Sequence, residues 1–356
     1  MAKIKNFFTS WQRISTPNKI FMVQNLSIMI KTGVPLAEAL DVLAQQVKNN
    51  KLKNILANIR DQIKKGCSFG ESLETYQRDF GELFINMIKA GEASGRLEEV
   101  LHELYLQSKK DHDLLLKVRN ALTYPAIILV AMVGIGIFII TFVLPNITKL
   151  FKDLDVELPL ATRIIISIND LAQSYGLIIL TVIIIVVAIL VKALKTKTGK
   201  RGLDLLLLKT PIVASVIKKI NLARLSRSLS ALIKADIPII DTLNITSRVV
   251  GNHFYREALN QIAEQVRKGE KMGNAFRNYP HIFPAIIDQM VAVGEETGSL
   301  DEVLEKLADF YEEEVYQTMN NLPTIIEPLL MLVIGLGVAG IALGILMPMY
   351  SLSEKF

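Results

Sequence analysis

Polar and apolar positions divide the chain into three long charge-free windows and the amphipathic segments between them. The windows run from Asn120 to Thr148, from Leu171 to Val191 and from Pro328 to Ser353. Each exceeds the roughly 18 residues that a helix needs to cross a bilayer core of about 30 Å. We therefore predict three transmembrane helices, at 121–145, 171–194 and 323–348. Because the second window is rich in Ile and Val, buried strands remain an alternative there.

The remaining segments have the periodicity of amphipathic helices with short polar connections. In the first half, helices are predicted at 16–32, 36–48, 51–65, 69–76, 80–92, and from 96 into the first span. Gly33 and Pro35 indicate a helix stop and restart, because glycine tolerates the left-handed conformation and proline suits a first helical turn. Two capping boxes are predicted, Ser68 with Glu71 and Ser299 with Glu302.

An apolar stripe on each long helix is expected to cover a small bundle before the helix enters the membrane. In the first half this stripe contains Leu97, Leu101 and Leu104. The second stripe contains Leu300, Val303, Leu304, Leu307, Phe310 and Tyr311.

The chain contains an internal duplication with a period of 203 residues. The segment IKTGVPLAEAL, from Ile30, recurs as IKADIPIIDTL, from Ile233, and KAGEASGRLEEVL, from Lys89, recurs as AVGEETGSLDEVL, from Ala292. The prolines framing the first span, Pro125 and Pro145, recur as Pro328 and Pro348. We call residues 21–145 repeat one and residues 224–348 repeat two. Such a fixed period indicates two copies of one structural unit.

The predicted fold class is therefore an all-α integral membrane protein with two homologous helical-bundle domains and three transmembrane helices. The expected segments are a 1–15 amphipathic tail, a helical domain at 16–120, the span 121–145, an external loop at 146–170, the span 171–194, a helical domain at 203–322, the span 323–348 and a short external end at 349–356. The unduplicated second span returns the chain, so that both helical domains lie on one side.

Basic residues indicate on which side of the membrane the helical domains lie, because positive charges flanking membrane helices favour the cytoplasm. They cluster before the first span and after the second: Lys109, Lys110, Lys117, Arg119, Lys192, Lys195, Lys197, Lys200 and Arg201. We therefore expect the amino terminus and both helical domains in the cytoplasm of a multi-pass inner-membrane protein, with the carboxyl terminus outside. The acidic run Glu312–Glu314 before the third span opposes this assignment, but acidic residues count little in the rule. No cleaved export signal is expected, because the basic amino terminus lacks an apolar stretch of signal-peptide length.

Composition then narrows the chemistry. A mean hydropathy of +0.35 is too high for an ordinary soluble protein. The single cysteine, Cys67, excludes intramolecular disulfides, and the four histidines lack metal-ligand spacing. The chain has no G-x₄-G-K-[ST] loop and no nucleophile motif, so neither an enzyme nor a cofactor is predicted. The net charge of +5 is spread over membrane flanks, which argues against nucleic acid binding.

Glycines in the spans are interpreted as helix contacts. Gly335, Gly337 and Gly340 match G-x-G-x-x-G but lie inside an apolar span, where a dinucleotide site has neither its strand nor its acidic residue. Gly340 and Gly344 instead fit close helix association, as do Gly134 and Gly136 in the first span.

Two carboxylate features are left as candidates for function. Gly91-Glu92-x-x-Gly95 and Gly294-Glu295-x-x-Gly298 lie at predicted helix corners, where each Glu can interact with the positive end of the following helix. A structural corner, a partner contact and a divalent-cation ligand all stay open. Glu327, directly before Pro328, either reaches the headgroups or pairs with another subunit.

These motifs, with the Gly33–Leu36 turn, the Glu327-Pro328 pair and the proline-framed spans, resemble the inner-membrane platform proteins of type IV pilus and type II secretion systems. The resemblance covers nearly the whole chain from about residue 16. It implies cytoplasmic six-helix domains and a homo-oligomeric platform on which pilin or pseudopilin subunits are assembled, with other inner-membrane assembly proteins and a cytoplasmic hexameric ATPase as partners. Asp236, where a glycine is expected, departs from the pattern.

The resemblance leaves the pilus, secretion and competence subtypes open. An oligomeric transporter or channel and a scaffold without a motor are the competing classes. The transporter is disfavoured because the three windows carry no charge except Glu327 at an edge.

Overall fold

The computed structural model describes residues 14–143 and 196–353, with the single positions 145, 175, 178, 181, 182, 185, 186, 189 and 192. Most of the predicted tail, the loop 146–170 and nearly all of the second span lie outside these residues. Regular structure in the described part is entirely helical, as the all-α prediction requires. Repeat one contains α1 (Thr16–Lys31), α2 (Leu36–Gln46), α3 (Asn50–Lys64), α4 (Phe69–Glu74), α5 (Gln77–Phe80), α6 (Glu82–Ala93) and α7 (Leu97–Phe138).

The second half repeats this series of helices almost residue for residue. After α8 (Lys197–Lys209) come α9 (Pro211–Lys234), α10 (Ile239–Val249), α11 (His253–Arg267), α12 (Met272–Arg277), α13 (Ala285–Thr297) and α14 (Leu300–Ser353). Helices α10, α11, α12, α13 and α14 begin 203 residues after α2, α3, α4, α6 and α7. Only the short α5 has no helical counterpart, because residues 280–283 form turns.

The chain divides into two compact units that do not coincide with the two repeats. Residues up to Leu116 and Asp204–Tyr316 form one unit, which we call the compact helical unit. Its core cluster mixes the repeats, because Ala231, Leu232 and Ile245 of repeat two lie among the buried side chains of repeat one. The two bundles therefore share a hydrophobic core.

The turn before the second helix of each repeat shows how the predicted Gly33 stop tolerates Asp236. Gly33 has φ 85° and Asp236 has φ 58°. The following N–H groups close the same bond, Val34 to the carbonyl of Met29 and Ile237 to that of Leu232. Asp236 also accepts a 2.5 Å hydrogen bond from Arg96 of the other repeat. The strained aspartate thus adds a contact that glycine lacks.

One of the two predicted capping boxes is confirmed by its hydrogen bonds. The Ser68 side chain accepts from the N–H of Glu71, while the Glu71 carboxylate accepts from the N–H of Ser68. In repeat two the hydroxyl of Ser299 lies 2.7 Å from that of Thr297.

An ionic network joins three helices inside the compact helical unit. The buried guanidinium of Arg227, on α9, lies 2.5 Å from Asp309 and 2.9 Å from Glu312, both on α14. Lys110, on α7 of repeat one, contacts the same two carboxylates at 3.3 and 3.1 Å. Burial opposes the charge of Arg227, but the hydrogen bond that it donates to Asp309 and the charge of Glu312 raise its pKa above the ordinary value. Two residues of the acidic run before the third span thus have basic partners, because Lys219 also lies 2.8 Å from Glu314.

Two helices of the described residues, α7 and α14, are long and apolar enough to cross a membrane. Their apolar windows are almost wholly exposed, whereas the core helix of a soluble protein would be buried. A π-helical turn, Ile139–Val143, follows α7. These helices correspond to the first and third predicted spans, and the second span stays a prediction.

We expect Arg227→Ala to destabilise the compact helical unit by about 2–3 kcal/mol, because it leaves partly buried carboxylates without their main partner. Thermal unfolding of the purified protein in detergent, followed by circular dichroism, measures this loss. Arg267→Ala is the matched control, because Arg267 forms only an exposed ion pair with Glu264, and its effect should stay within about 0.5 kcal/mol. Equal unfolding midpoints for the two variants would contradict a structural role for the network.

Candidate functional site at the helix corners

The glutamate of each GE-x-x-G motif caps a short helix. The carboxylate of Glu92 accepts hydrogen bonds from the N–H groups of Phe69 at 2.7 Å and Gly70 at 2.9 Å. In repeat two the carboxylate of Glu295 accepts from Met272 at 3.0 Å and Gly273 at 3.2 Å. These N–H groups open α4 and α12, where helical backbone has no internal acceptor for them. Two equivalent corners therefore satisfy backbone groups in the same way.

The helix that follows each motif is not the one that its glutamate contacts, so this interpretation of the sequence was wrong. The motif is followed directly by α7 or α14, yet each carboxylate contacts a helix that precedes it in the chain, α4 or α12. The reason is tertiary packing, because α4 packs against α6 and α12 packs against α13. Sequence adjacency identifies only the next helix, whereas the cap depends on which helix lies against the glutamate.

Two glycines that the sequence argument missed make this approach possible. A Cβ atom on Gly70 would lie 2.4 Å from Cγ of Lys89, and one on Gly273 would lie 2.6 Å from Cβ of Ala292 and 2.9 Å from its Cα. Helices α4 and α12 therefore lie against α6 and α13 almost backbone to backbone. The sequence does contain a signal for them, because Gly70 and Gly273 are 203 residues apart and therefore occupy equivalent positions in the two repeats.

The glycines of the motif form the rest of the corner. A Cβ on Gly91 would lie 2.8 Å from Cβ of Val100, and one on Gly294 would lie 2.9 Å from Cα of Leu300. They let the next helix pack tightly against α6 or α13. Gly95 and Gly298 have φ of 70° and 72°, the left-handed conformation that ends a helix. Each motif thus combines a close approach, a cap and a sharp turn.

The arrangement favours the structural-corner interpretation of the motif over a cation site. Both carboxylate oxygens of Glu92 and of Glu295 already accept backbone hydrogen bonds. Among the residues that the structure describes, no group of three His, Cys, Asp or Glu side chains is placed to hold a metal ion.

An acidic groove of about 780 Å³ lies between α7 and α9 of the compact helical unit. Several of its charged side chains form ion pairs. Lys31 lies 3.6 Å from Glu98, Arg96 lies 2.5 Å from Asp236, and Lys234 lies 2.8 Å from Glu305 just outside the groove. The pair of Arg96 with Asp236 joins the two repeats, whereas the other two pairs lie within repeat one and within repeat two.

The membrane-helix candidates lie on the two long helices or just beyond α7. Pro125 is inside α7, and Pro145 is helical at a single described position after the π-helical turn. Glu327, Pro328, Gly340, Gly344 and Pro348 all lie within α14. Glu327 is exposed, and a Cβ on Gly340 would meet no atom within 4 Å. Both therefore lie on the surface of the chain, and helix association through Gly340 and Gly344 stays a prediction.

Removing the caps should cost stability. We expect Glu92→Ala and Glu295→Ala each to lower the free energy of unfolding by about 1–2 kcal/mol, because two backbone N–H groups lose their acceptor. Glu92→Gln should retain part of this energy, since its amide oxygen still accepts. Thermal unfolding in detergent measures the series, with the exposed Glu38→Ala expected to stay within about 0.5 kcal/mol.

A different pattern would favour the partner-contact interpretation. If both alanine variants insert in the membrane and unfold like the wild type but abolish filament assembly or secretion, the cap account is wrong. Unaffected assembly in both variants would remove the partner contact instead.

Comparison with known proteins finds the same duplication. The family model described as type II secretion system (T2SS), protein F, matches twice, at residues 22–145 and 225–348. The two matches lie 203 residues apart and confirm the internal repeat.

Curated relatives extend the match to most of the chain. The type IV pilus assembly protein PilC of Thermus thermophilus is 33% identical over 92% of this chain and 81% of its own length. PilC of Myxococcus xanthus is 31% identical over 94% of this chain and 80% of its own length. The type II secretion system protein F of Aeromonas hydrophila is 30% identical over 98% of this chain and 90% of its own length.

These matches confirm the resemblance that the sequence motifs indicated and the prediction of an assembly protein that is not an enzyme. Together with the two long apolar helices, they indicate the inner membrane. With its duplicated helical bundle and two matches to the family model, the chain belongs to the type II secretion system protein F family.

Proposed function

We propose that this protein is the inner-membrane platform of a type IV pilus or type II secretion machine, where it couples a cytoplasmic hexameric ATPase to the insertion or extraction of pilin-like subunits. The observation that carries the proposal is that α7 and α14 each continue without a break from the compact helical unit into an apolar stretch. Each repeat therefore supplies one helix that joins the compact helical unit to an apolar stretch.

The compact helical unit is suited to receive force from a partner. Its repeats share a core and are joined by ion pairs, among them Lys110 with Glu312 and Arg96 with Asp236. If the unit moves as one body, α7 and α14 move together. Two independent bundles could instead move relative to each other, and a displacement of one would not reach the helix of the other. This supports a mechanical role in which pilin subunits are moved by changes in the platform.

In ATP-driven work a partner supplies the energy, because the sequence has no P-loop with which to hydrolyse the nucleotide itself. The names of the relatives, type IV pilus assembly protein and type II secretion system protein, support a place in these machines. A competence pseudopilus is the nearest alternative subtype. A transporter, a channel or a motor-free scaffold would need no ATPase partner.

The proposed topology places the compact helical unit in the cytoplasm and the carboxyl terminus outside. The native cysteine gives a direct test, because Cys67 is exposed and is the only one in the chain. In intact spheroplasts, a membrane-impermeant maleimide should leave Cys67 unlabelled until detergent is added. In a Cys67→Ser background, Ser351→Cys should be labelled without detergent. Labelling of Cys67 from outside would invert the topology.

Coupling to an ATPase is tested by co-purification and complementation in a strain that lacks the gene. The wild-type chain should retain a cytoplasmic secretion-type ATPase through detergent purification and restore filaments or secretion. Arg267→Ala, which alters only an exposed ion pair, serves as the positive control. Restored assembly without ATPase retention or dependence would support a scaffold, and solute flux through reconstituted protein would support a transporter. Either result would overturn the proposal.

A further inference from the structure

The two repeats contact each other through different faces. Helices α9 and α10 of repeat two cover α6 and α7 of repeat one. Three contacts define this packing: Arg248 Nε lies 2.7 Å from Glu82 Oε2, Gln107 Nε2 lies 3.5 Å from Ser228 Oγ, and Arg224 Nε lies 3.3 Å from Asp111 Oδ1. We call the α9–α10 side the donor face and the α6–α7 side the acceptor face.

Repeat one carries a donor face of its own, but that face is exposed. Ala231 and Ile245, on the donor face of repeat two, are 0% and 5% exposed. Their counterparts 203 residues earlier, Ile28 and Val42, are 55% and 37% exposed. Phe21, the counterpart of Arg224, is also exposed. Three apolar side chains on α1 and α2 thus lie where repeat two has its covered contact.

Repeat two likewise carries an exposed acceptor face. Gln107 of repeat one is 4% exposed, whereas its counterpart Phe310 is 46% exposed. Val293 and Ile286, on α13, are exposed as well and correspond to half-buried positions on α6. Phe310 was expected to cover its own bundle with the rest of its stripe, but the structure leaves it on the surface.

We propose that these two faces bind each other between copies of the chain. The exposed donor face of repeat one in one copy packs on the exposed acceptor face of repeat two in the next, in the arrangement that the repeats already use within one chain. The binding partner is a second copy of the chain, because the internal contact shows that a donor face fits an acceptor face of this fold. Exposed aromatic and aliphatic side chains at both faces supply the apolar area that such contacts bury.

This contact is heterologous, because two different surfaces meet. Such contacts form rings where the rotation between neighbours closes, rather than two-fold dimers. Repeat two of one copy then contacts repeat one of the next copy, so that the repeats follow one another head to tail through the oligomer. The proposal rests on the packing of the repeats and not on the proposed coupling to an ATPase, so that either can fail without the other.

The internal contact predicts which residues meet between copies. Gln107 and Ser228 correspond to Phe310 and Asn25, which should therefore approach across the new interface. In the Cys67→Ser background, an Asn25→Cys chain and a Phe310→Cys chain with different affinity tags are co-expressed in membranes and oxidised. A disulfide should join the differently tagged chains. Each single variant expressed alone should give little dimer, because two identical faces do not meet.

A control pair replaces Asn25→Cys by Lys53→Cys, an exposed position on α3 outside both faces. It should give no more product than the single variants. Disulfide dimers of Asn25→Cys alone would show a two-fold contact and overturn the proposal. Absence of the mixed product in folded, membrane-inserted chains would also overturn it.

An independent measurement introduces a charged side chain at each face instead of a cysteine. Ile28→Asp and Val293→Asp should each raise the dissociation constant of the oligomer at least about tenfold, because each buries an unpaired carboxylate at the contact. Native mass spectrometry in detergent reads the oligomer distribution, and circular dichroism verifies folding. A monomeric wild type, or oligomers unchanged in both variants, would contradict the proposal.

Discussion

Helix α9 is buried on nearly every side because both repeats pack around it. Residues 221–232 are buried except for the half-buried Arg224. An α-helix so enclosed cannot satisfy a charged side chain with water, and Asp309 and Glu312 compensate the buried charge of Arg227 instead. Helix α14 supplies these carboxylates, and α7 supplies Lys110 to the same group. The shared core and the ion pairs therefore depend on one buried helix.

The duplication explains both the symmetry of the fold and its departures from symmetry. The equivalent corners at Glu92 and Glu295 have the same hydrogen bonds, because the first N–H groups of α4 and of α12 each need an acceptor. Where the repeats meet each other, the equivalence is broken. Asp236 replaces the glycine of the first turn and gains Arg96 as a partner, and Arg227 replaces Gln24 at the centre of the ionic network.

Much of this could be predicted from the sequence, because helix starts and stops are local. The predicted helices of repeat one begin within two residues of those observed, and Ser68 caps α4 as its spacing indicated. The partner of Glu92 could not be predicted, since it depends on which helix packs against α6. Nor could the exposure of Phe310, because an apolar stripe shows which side chains avoid water but not whether its own chain covers them. Comparison of the two repeats position by position would have found Gly70 and Gly273.

The candidate site holds helices together in both repeats. Its glycines permit close helix packing, and its glutamates satisfy backbone groups, so that each corner fixes the helix that continues toward the apolar stretch. This agrees with membership of a family whose named relatives are assembly and secretion-system proteins.

The most direct test of the central claim is amide hydrogen exchange on the detergent-solubilised protein, comparing residues 222–232 of α9 with residues 19–29 of α1. These segments are equivalent by the repeat, but only α9 is enclosed by both bundles. Amides in the most buried helix open only with the whole unit, whereas peripheral helices open locally. The account predicts much slower exchange in α9 than in α1. Equal exchange in the two segments would show that the repeats fold as independent bundles and would contradict it.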